Sequence, residues 1–141
     1  MIANELAYIA GLIDGEGTIT IKKRLPSQQT AKAVNTSYSG EIQVEMTHEP
    51  TIRRLKEIFG KGNIRTRDRG HKPLWTWKVS DAAAREVAWE LLPYLRIKQR
   101  QAELVIALPV WPRGRGAVPE ELVTLKEHMK QEINALNKVG V

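Results

Sequence analysis

Residues 9–17 read Ile-Ala-Gly-Leu-Ile-Asp-Gly-Glu-Gly, and the stretch occurs once in the 141 residues. With the residues before it, it predicts a helix over about 4–14. Leu6, Ile9, Ala10, Leu12 and Ile13 make that segment mostly apolar, which marks the helix as largely buried. Asn4 is placed to cap its N-terminus, and Glu5 suits the first turn. Ala7, Gly11 and Gly15 recur at every fourth position, a spacing that lines them along one helix face. An interior glycine costs about 1 kcal/mol relative to alanine. Close approach of another backbone along a stripe without side chains is a physical reason to carry it. Gly15-Glu16-Gly17 then stops the helix. Thr18-Ile19-Thr20-Ile21 alternates and is β-branched, so it reads as a strand. Glu16 thus sits at a helix-to-strand junction.

Outward from this junction, the first strand covers about 18–24 and is followed by the polar connection Pro26-Ser27-Gln28-Gln29-Thr30. A second strand, about 37–47, alternates Ser39, Glu41, Gln43 and Glu45 with Ile42, Val44 and Met46, the pattern of a sheet covered on one side. Pro50 fits the first turn of a helix whose Ile52, Leu55, Ile58 and Phe59 follow the 3.6-residue period, and Gly60 and Gly62 end it. A third strand, about 63–69, carries Arg65, Arg67 and Arg69 on one face. After a turn at Gly70 and Pro73, a fourth, about 74–80, alternates Trp75, Trp77 and Val79 with Thr76 and Lys78. Ser80 or Asp81 caps a helix of about 82–92 bounded by Pro93, and another runs from about 97 to 108. Beyond the loop Trp111-Pro112-Arg113-Gly114-Arg115-Gly116, the last helix spans about 120–137 with Leu122, Leu125, Met129, Ile133 and Leu136 on one stripe.

The order αββαββα, with helices appended at the C-terminal end, predicts a single α+β domain over 1–141: a four-stranded antiparallel sheet with helices on one face. The other face would carry Thr20, Lys22, Arg24, Glu41, Gln43, Glu45, Arg65, Arg67, Arg69, Thr76 and Lys78. That mixture has cations for phosphates and donors and acceptors for base edges in a major groove. Gln28 of the polar connection is placed with this nucleic-acid-binding set.

The net charge is +6, and its distribution is uneven. Residues 1–21 sum to −3, residues 22–78 to +8 and residues 79–141 to +1. The basic excess lies in the segment that carries the strands, the footprint of a polyanion partner, although charge alone also fits an ordinary basic surface. With no cysteine there is neither a disulfide framework nor a thiolate metal site, and His48, His71 and His128 have no zinc spacing. No apolar run suggests a membrane span and nothing marks secretion. An intracellular protein is expected, with bacterial, phage or archaeal cytoplasm and organelle all open.

Residues 9–17 resemble the LAGLIDADG signature of homing endonucleases. A second segment agrees: residues 93–105 read Pro-Tyr-Leu-Arg-Ile-Lys-Gln-Arg-Gln-Ala-Glu-Leu-Val. They are similar to the Pro-Phe-Leu-Lys-Leu-Lys-Gln-Lys-Gln-Ala pattern that follows the sheet in single-motif, homodimeric members. The resemblance implies a catalytic carboxylate and metal ligand at Glu16, a metal contact from the Gly15 carbonyl, and a catalytic lysine at Lys98. In isolation Lys98 is a surface lysine near a helix start. A polar residue and an arginine that order the active-site water fall on His48 and on Arg53 or Arg54, and His48 reads equally as a helix-entry residue. Ala7, Gly11, Leu12 and Gly15 would form the dimer interface, since one motif per chain implies two chains for a complete site. Two departures bear on this: the final acid is Glu16 rather than aspartate, and Asp14, the earlier acid, is usually structural in the family.

The implied activity is site-specific cleavage of double-stranded DNA by a Mg²⁺-dependent homodimer. The target would be long and pseudo-palindromic, cut across the minor groove with short 3′ overhangs, and the biological role intron mobility. Mn²⁺ would substitute for Mg²⁺, and Ca²⁺ would support binding without cleavage. The same fold serves RNA maturases and regulators that bind DNA without cutting, and a basic domain on structured RNA would use the charge alone; these alternatives stay open.

Overall fold

Helix α1 (Ile2–Glu16) runs into strand β1 (Gly17–Arg24) with no residue between them. This computed structural model describes residues 2–29, 35–112 and 115–138. Thr30 of the first connection, and Arg113 and Gly114 of the later loop, lie outside the described residues. The helix begins upstream of Asn4, whose capping role is therefore not realised; Ile2, Ala3 and Asn4 are exposed, so water can satisfy the first backbone N–H groups.

A single 3₁₀ turn at Pro26–Gln28 follows β1. Then come β2 (Ser37–Met46), α2 (Glu49–Phe59), β3 (Asn63–Arg67), β4 (Leu74–Ser80), α3 (Asp81–Leu91), α4 (Gln99–Ala107) and α5 (Glu120–Lys138). The strands form one antiparallel sheet in the order β1-β2-β4-β3. The fold is α+β, as the sequence predicts.

The register separates two faces. Ile19 pairs with Ile42, and Ile42 with Val79; Val44 pairs with Trp77. These side chains are buried together with Ile9, Ile13, Ile52, Leu55, Val87, Leu91 and Val105 of α1 to α4. Trp77 stacks on Phe59 with ring centroids 5.6 Å apart, worth about 0.5–1.5 kcal/mol beyond the burial itself. Its indole N–H donates to the Lys61 carbonyl at 3.0 Å, so the buried ring leaves no polar atom unpaired. Gly60 caps α2 in the left-handed region at φ 68°, a conformation that glycine adopts without a side-chain penalty.

Besides α1, two boundaries differ from the sequence expectation by two residues. Strand β3 ends at Arg67 rather than 69, because the Asp68 carboxylate accepts the Gly70 N–H at 2.9 Å and starts the hairpin turn early. Helix α4 begins at Gln99 rather than 97, and the N–H groups of Arg96, Ile97 and Lys98 ahead of it are taken by the Asp14 carboxylate.

Candidate active site and nucleic-acid interface

Glu16 is the last residue of α1 and is exposed. Gly17 sets the sharpness of the junction behind it. A Cβ there would lie 2.9 Å from Ile13 Cα and 3.1 Å from the Ile13 carbonyl oxygen, so only a residue without a side chain lets the strand leave the helix at this point. Among the described residues, Glu16 has no ion pair or hydrogen-bond partner for its carboxylate. It is a hard oxygen donor at the end of a helix that the sequence marks as largely buried but that buries only Ile9, Ala10, Ile13 and Asp14.

Lys98 comes to the same helix end from a segment more than eighty residues away. It is only 4 % exposed, so the reading of it as a surface lysine fails. Its Nζ donates to the Ile13 carbonyl at 3.0 Å and to the Asp14 carbonyl at 2.8 Å, two of the terminal carbonyls that a helix leaves without partners. Burial lowers the Lys98 pKa, and the Asp14 and Glu16 carboxylates work against that shift. Asp14 is itself buried and does not face solvent beside Glu16; it accepts Arg96 N–H at 2.9 Å, Ile97 N–H at 3.2 Å and Lys98 N–H at 2.9 Å.

His48 lies at the entry to α2, exposed, with Nδ1 2.7 Å from the Thr51 hydroxyl. No hydrogen bond among the described residues joins it to Glu16 or Lys98. Of the two candidate arginines, Arg53 pairs with Glu49 at 2.6 Å and sits over the Trp75 ring, whereas Arg54 reaches across to Glu5 of α1 and also pairs with Glu57 at 3.0 Å. His48, Arg54, Glu5, Tyr8 and Leu12 line a shallow groove of about 300 Å³ between α1 and α2.

Among the described residues of the protomer, none packs on the outer face of α1. Ala7, Gly11 and Gly15 are exposed, Leu12 is half-buried, and a Cβ at Gly11 or Gly15 would meet nothing within 4 Å. Tyr8, on the same face and 64 % exposed, was not among the residues singled out from sequence; its four-residue spacing to Leu12 was the available signal.

The polar face of the sheet is continuous in register. Thr20 opposes Glu41, Lys22 opposes Ser39, and Arg24 opposes Ser37. Gln43 opposes Lys78, Glu45 opposes Thr76, and Thr76 opposes Arg65. Arg67 opposes Leu74 at the far end. The parity also places Thr18 and Asn63 on this face, both of which the alternation would have identified. Three expectations need correction. Arg69 lies in the turn beyond β3 rather than on the strand face. Glu41 is only 9 % exposed, since it sits on a central strand between Thr20 and Ser80 with the Lys78 ammonium 4.0 Å away. Gln28 is exposed, but its side-chain oxygen accepts the Leu25 N–H at 2.8 Å and closes the 3₁₀ turn. Arg24 is partly engaged there too, donating to the Gln28 carbonyl at 2.8 Å. Glu45 accepts the Thr76 hydroxyl at 2.8 Å and lies 3.9 Å from Arg67. Exposed pairs of this kind are worth about 0–1 kcal/mol and can be exchanged for phosphates at little cost.

The donors at the α1 end suit a hard divalent cation, but only as part of a ligand set. Among the described residues there is no group of three or more His, Cys, Asp or Glu side chains that could hold a metal ion. An exposed carboxylate and a neighbouring carbonyl leave most positions to a second chain or to substrate oxygens. Among the described residues, no helix is long and apolar enough to cross a membrane.

The DNA endonuclease I-CreI of Chlamydomonas reinhardtii is 31% identical over 117 residues, 73% of this chain and 61% of its own length. The fold is similar to that of the homing endonuclease I-CvuI, solved in complex with the I-CreI target in 2 mM Mg with the DNA not cleaved. That likeness has a TM-score of 0.80 at 19% identity and covers 96% of this chain and 83% of the other. An archaeal intron-encoded homing endonuclease, I-Vdi141I complexed with DNA, gives a TM-score of 0.70 at 13% identity, with 95% and 84% coverage. The family model described as LAGLIDADG endonuclease matches residues 9–101, from the motif of α1 through all four strands to the start of α4. By that match this chain belongs to the LAGLIDADG endonuclease family.

Proposed function

We propose that this protein is a site-specific double-strand DNA endonuclease that works as a homodimer with divalent cations. The observation that carries the reading is the convergence at the α1 terminus. A carboxylate without a partner among the described residues and a buried lysine from a distant segment lie at the same helix end, beside a sheet face of alternating cations and hydrogen-bonding side chains. I-CreI, a DNA endonuclease, supports it, as do I-CvuI structures holding target DNA in 2 mM Mg and in 2 mM Ca.

Glu16 and the Gly15 carbonyl would hold the cation, with the partner protomer and scissile phosphates supplying the remaining oxygens. Bound there, a divalent cation activates water and neutralises phosphate charge. Lys98 has three ammonium donors, and two are engaged by the Ile13 and Asp14 carbonyls. The third would stabilise charge developing on the phosphate. His48 keeps Nε2 free of the Thr51 contact and would orient the attacking water. Lys22, Arg65 and Arg67 would meet phosphates, while Gln43, Glu45 and Thr76 would address base edges. The bare face of α1 would pack on its copy, and two-fold symmetry then selects a pseudo-palindromic target.

The test selects binders from random DNA duplexes in Ca²⁺, exchanges Mg²⁺ in, and sequences the ends. An enriched pseudo-palindrome with staggered cuts is expected. Glu16→Gln should bind the same site but cut at least roughly 100-fold more slowly. An enriched site left intact by the wild type would mean a regulator, and salt-sensitive binding without DNA preference would mean an RNA partner.

A further inference from the structure

Asp14 and Lys98 form a two-way clamp between α1 and the segment before α4. The Asp14 carboxylate accepts three consecutive backbone N–H groups, from Arg96, Ile97 and Lys98. The Lys98 ammonium returns two hydrogen bonds to the carbonyls of Ile13 and Asp14. Both residues are buried, and the five bonds run 2.8–3.2 Å. An aliphatic residue at 14 would leave the buried Lys98 N–H without its partner, a costly outcome, and would also release the N–H groups of Arg96 and Ile97. The segment itself is short and irregular: Arg96 and Ile97 are exposed, and the helix does not start until Gln99.

We propose that Asp14 is a positioning residue that fixes the Lys98 ammonium against the α1 terminus, so that Glu16 and Lys98 are presented as one rigid unit. The proposal rests on the nuclease reading for its catalytic meaning, but the clamp itself is testable without DNA. Two of the three ammonium donors are held by α1, so the direction of the third is set by the same helix that ends in Glu16. A shift of the 96–98 segment would move one group relative to the other, and misplacement of about 1 Å is enough to cost about 100-fold in rate.

The test compares wild type with Asp14→Asn, which keeps one carbonyl oxygen but turns an amide donor toward a backbone N–H. Competitive acetylation of all lysines in the full-length protein, read by mass spectrometry, reports the Lys98 amine directly. In wild type Lys98 should react slowest of the lysines. In Asp14→Asn, with cooperative melting retained, its labelling should rise roughly ten-fold while exposed lysines are unchanged. Unchanged Lys98 labelling in a folded variant would overturn the proposal. If Asp14→Asn does not fold, Lys98→Met decides: linkage requires that losing the ammonium lower amide-exchange protection at 96–98 several-fold, and unaltered protection would overturn it. Single-turnover cleavage then separates the two readings. Asp14→Asn should lose rate with DNA affinity kept; labelling that rises in a protein whose wild type does not cut would leave the clamp standing and remove the nuclease.

Discussion

Gly17 has no room for a methyl group, and the neighbour it would strike is backbone. The Ile13 Cα cannot rotate away as a side chain would, so Gly17→Ala must bend the junction. It should destabilise the protein by about 1–3 kcal/mol, measurable in urea unfolding; a change below a few tenths would show that the junction yields freely. Lys98 shows where sequence reading stops at this scale. Its burial comes from docking of residues 96–98 on Asp14, a contact 84 residues away that no local pattern encodes. Only the likeness of the surrounding segment to a family pattern singled it out. Glu41 was misjudged for a related reason: alternation assigns a face, but how deeply a position on that face sits depends on which strands flank it.

At the scale of elements, helices and strands were legible because their periods are strong, and the ends were not where a side chain competes for backbone groups. Asp68 shortened β3 by capturing the Gly70 N–H, and ahead of α4 the Asp14 carboxylate takes the N–H groups of Arg96 to Lys98. Helix α5 buries Met129 and Ile133 of the expected stripe, but Leu125 is exposed and Lys126 is buried in its stead, and the helix's anchor was not legible. Glu127 accepts the Lys23 ammonium at 2.6 Å and the Tyr38 hydroxyl at 2.6 Å, tying the helix to β1 and β2. Those two hydrogen bonds, the one from Lys23 first, hold the Glu127 carboxyl down at about 2 from an ordinary 4.5. A carboxyl depressed in the folded state contributes stability that is fully present above its ordinary value. That contribution is lost as pH falls from about 4.5 through about 2. Urea midpoints of wild type and Glu127→Gln should therefore differ at pH 6 and converge at roughly pH 2. A difference that does not depend on pH would assign the anchor to packing instead.

For the whole molecule, the bare face of α1 gives two effects of opposite sign. Among the described residues nothing obstructs a side chain at Gly11, and alanine is a better helix former by about 1 kcal/mol. Gly11→Ala should thus raise the stability of an isolated protomer while weakening association, with a larger monomer fraction in sedimentation at micromolar concentration. Undiminished association would remove α1 from the interface.

The sheet order leaves β3 as an outer strand, five residues long, with Arg65 and Arg67 on one side. An outer strand is a template for unwanted pairing, and repeated cations on a short edge repel a second copy of the same edge. The arginines assigned to phosphates would therefore also protect solubility, and the two duties come apart when DNA is absent. Replacing both by serine should lower DNA affinity and, in the free protein alone, speed light-scattering growth on warming; growth unchanged from wild type would confine them to the DNA. Retargeting the proposed nuclease through this strand would then carry a hidden constraint, because neutral side chains chosen to read new bases would be selected against by aggregation before their specificity could be tested.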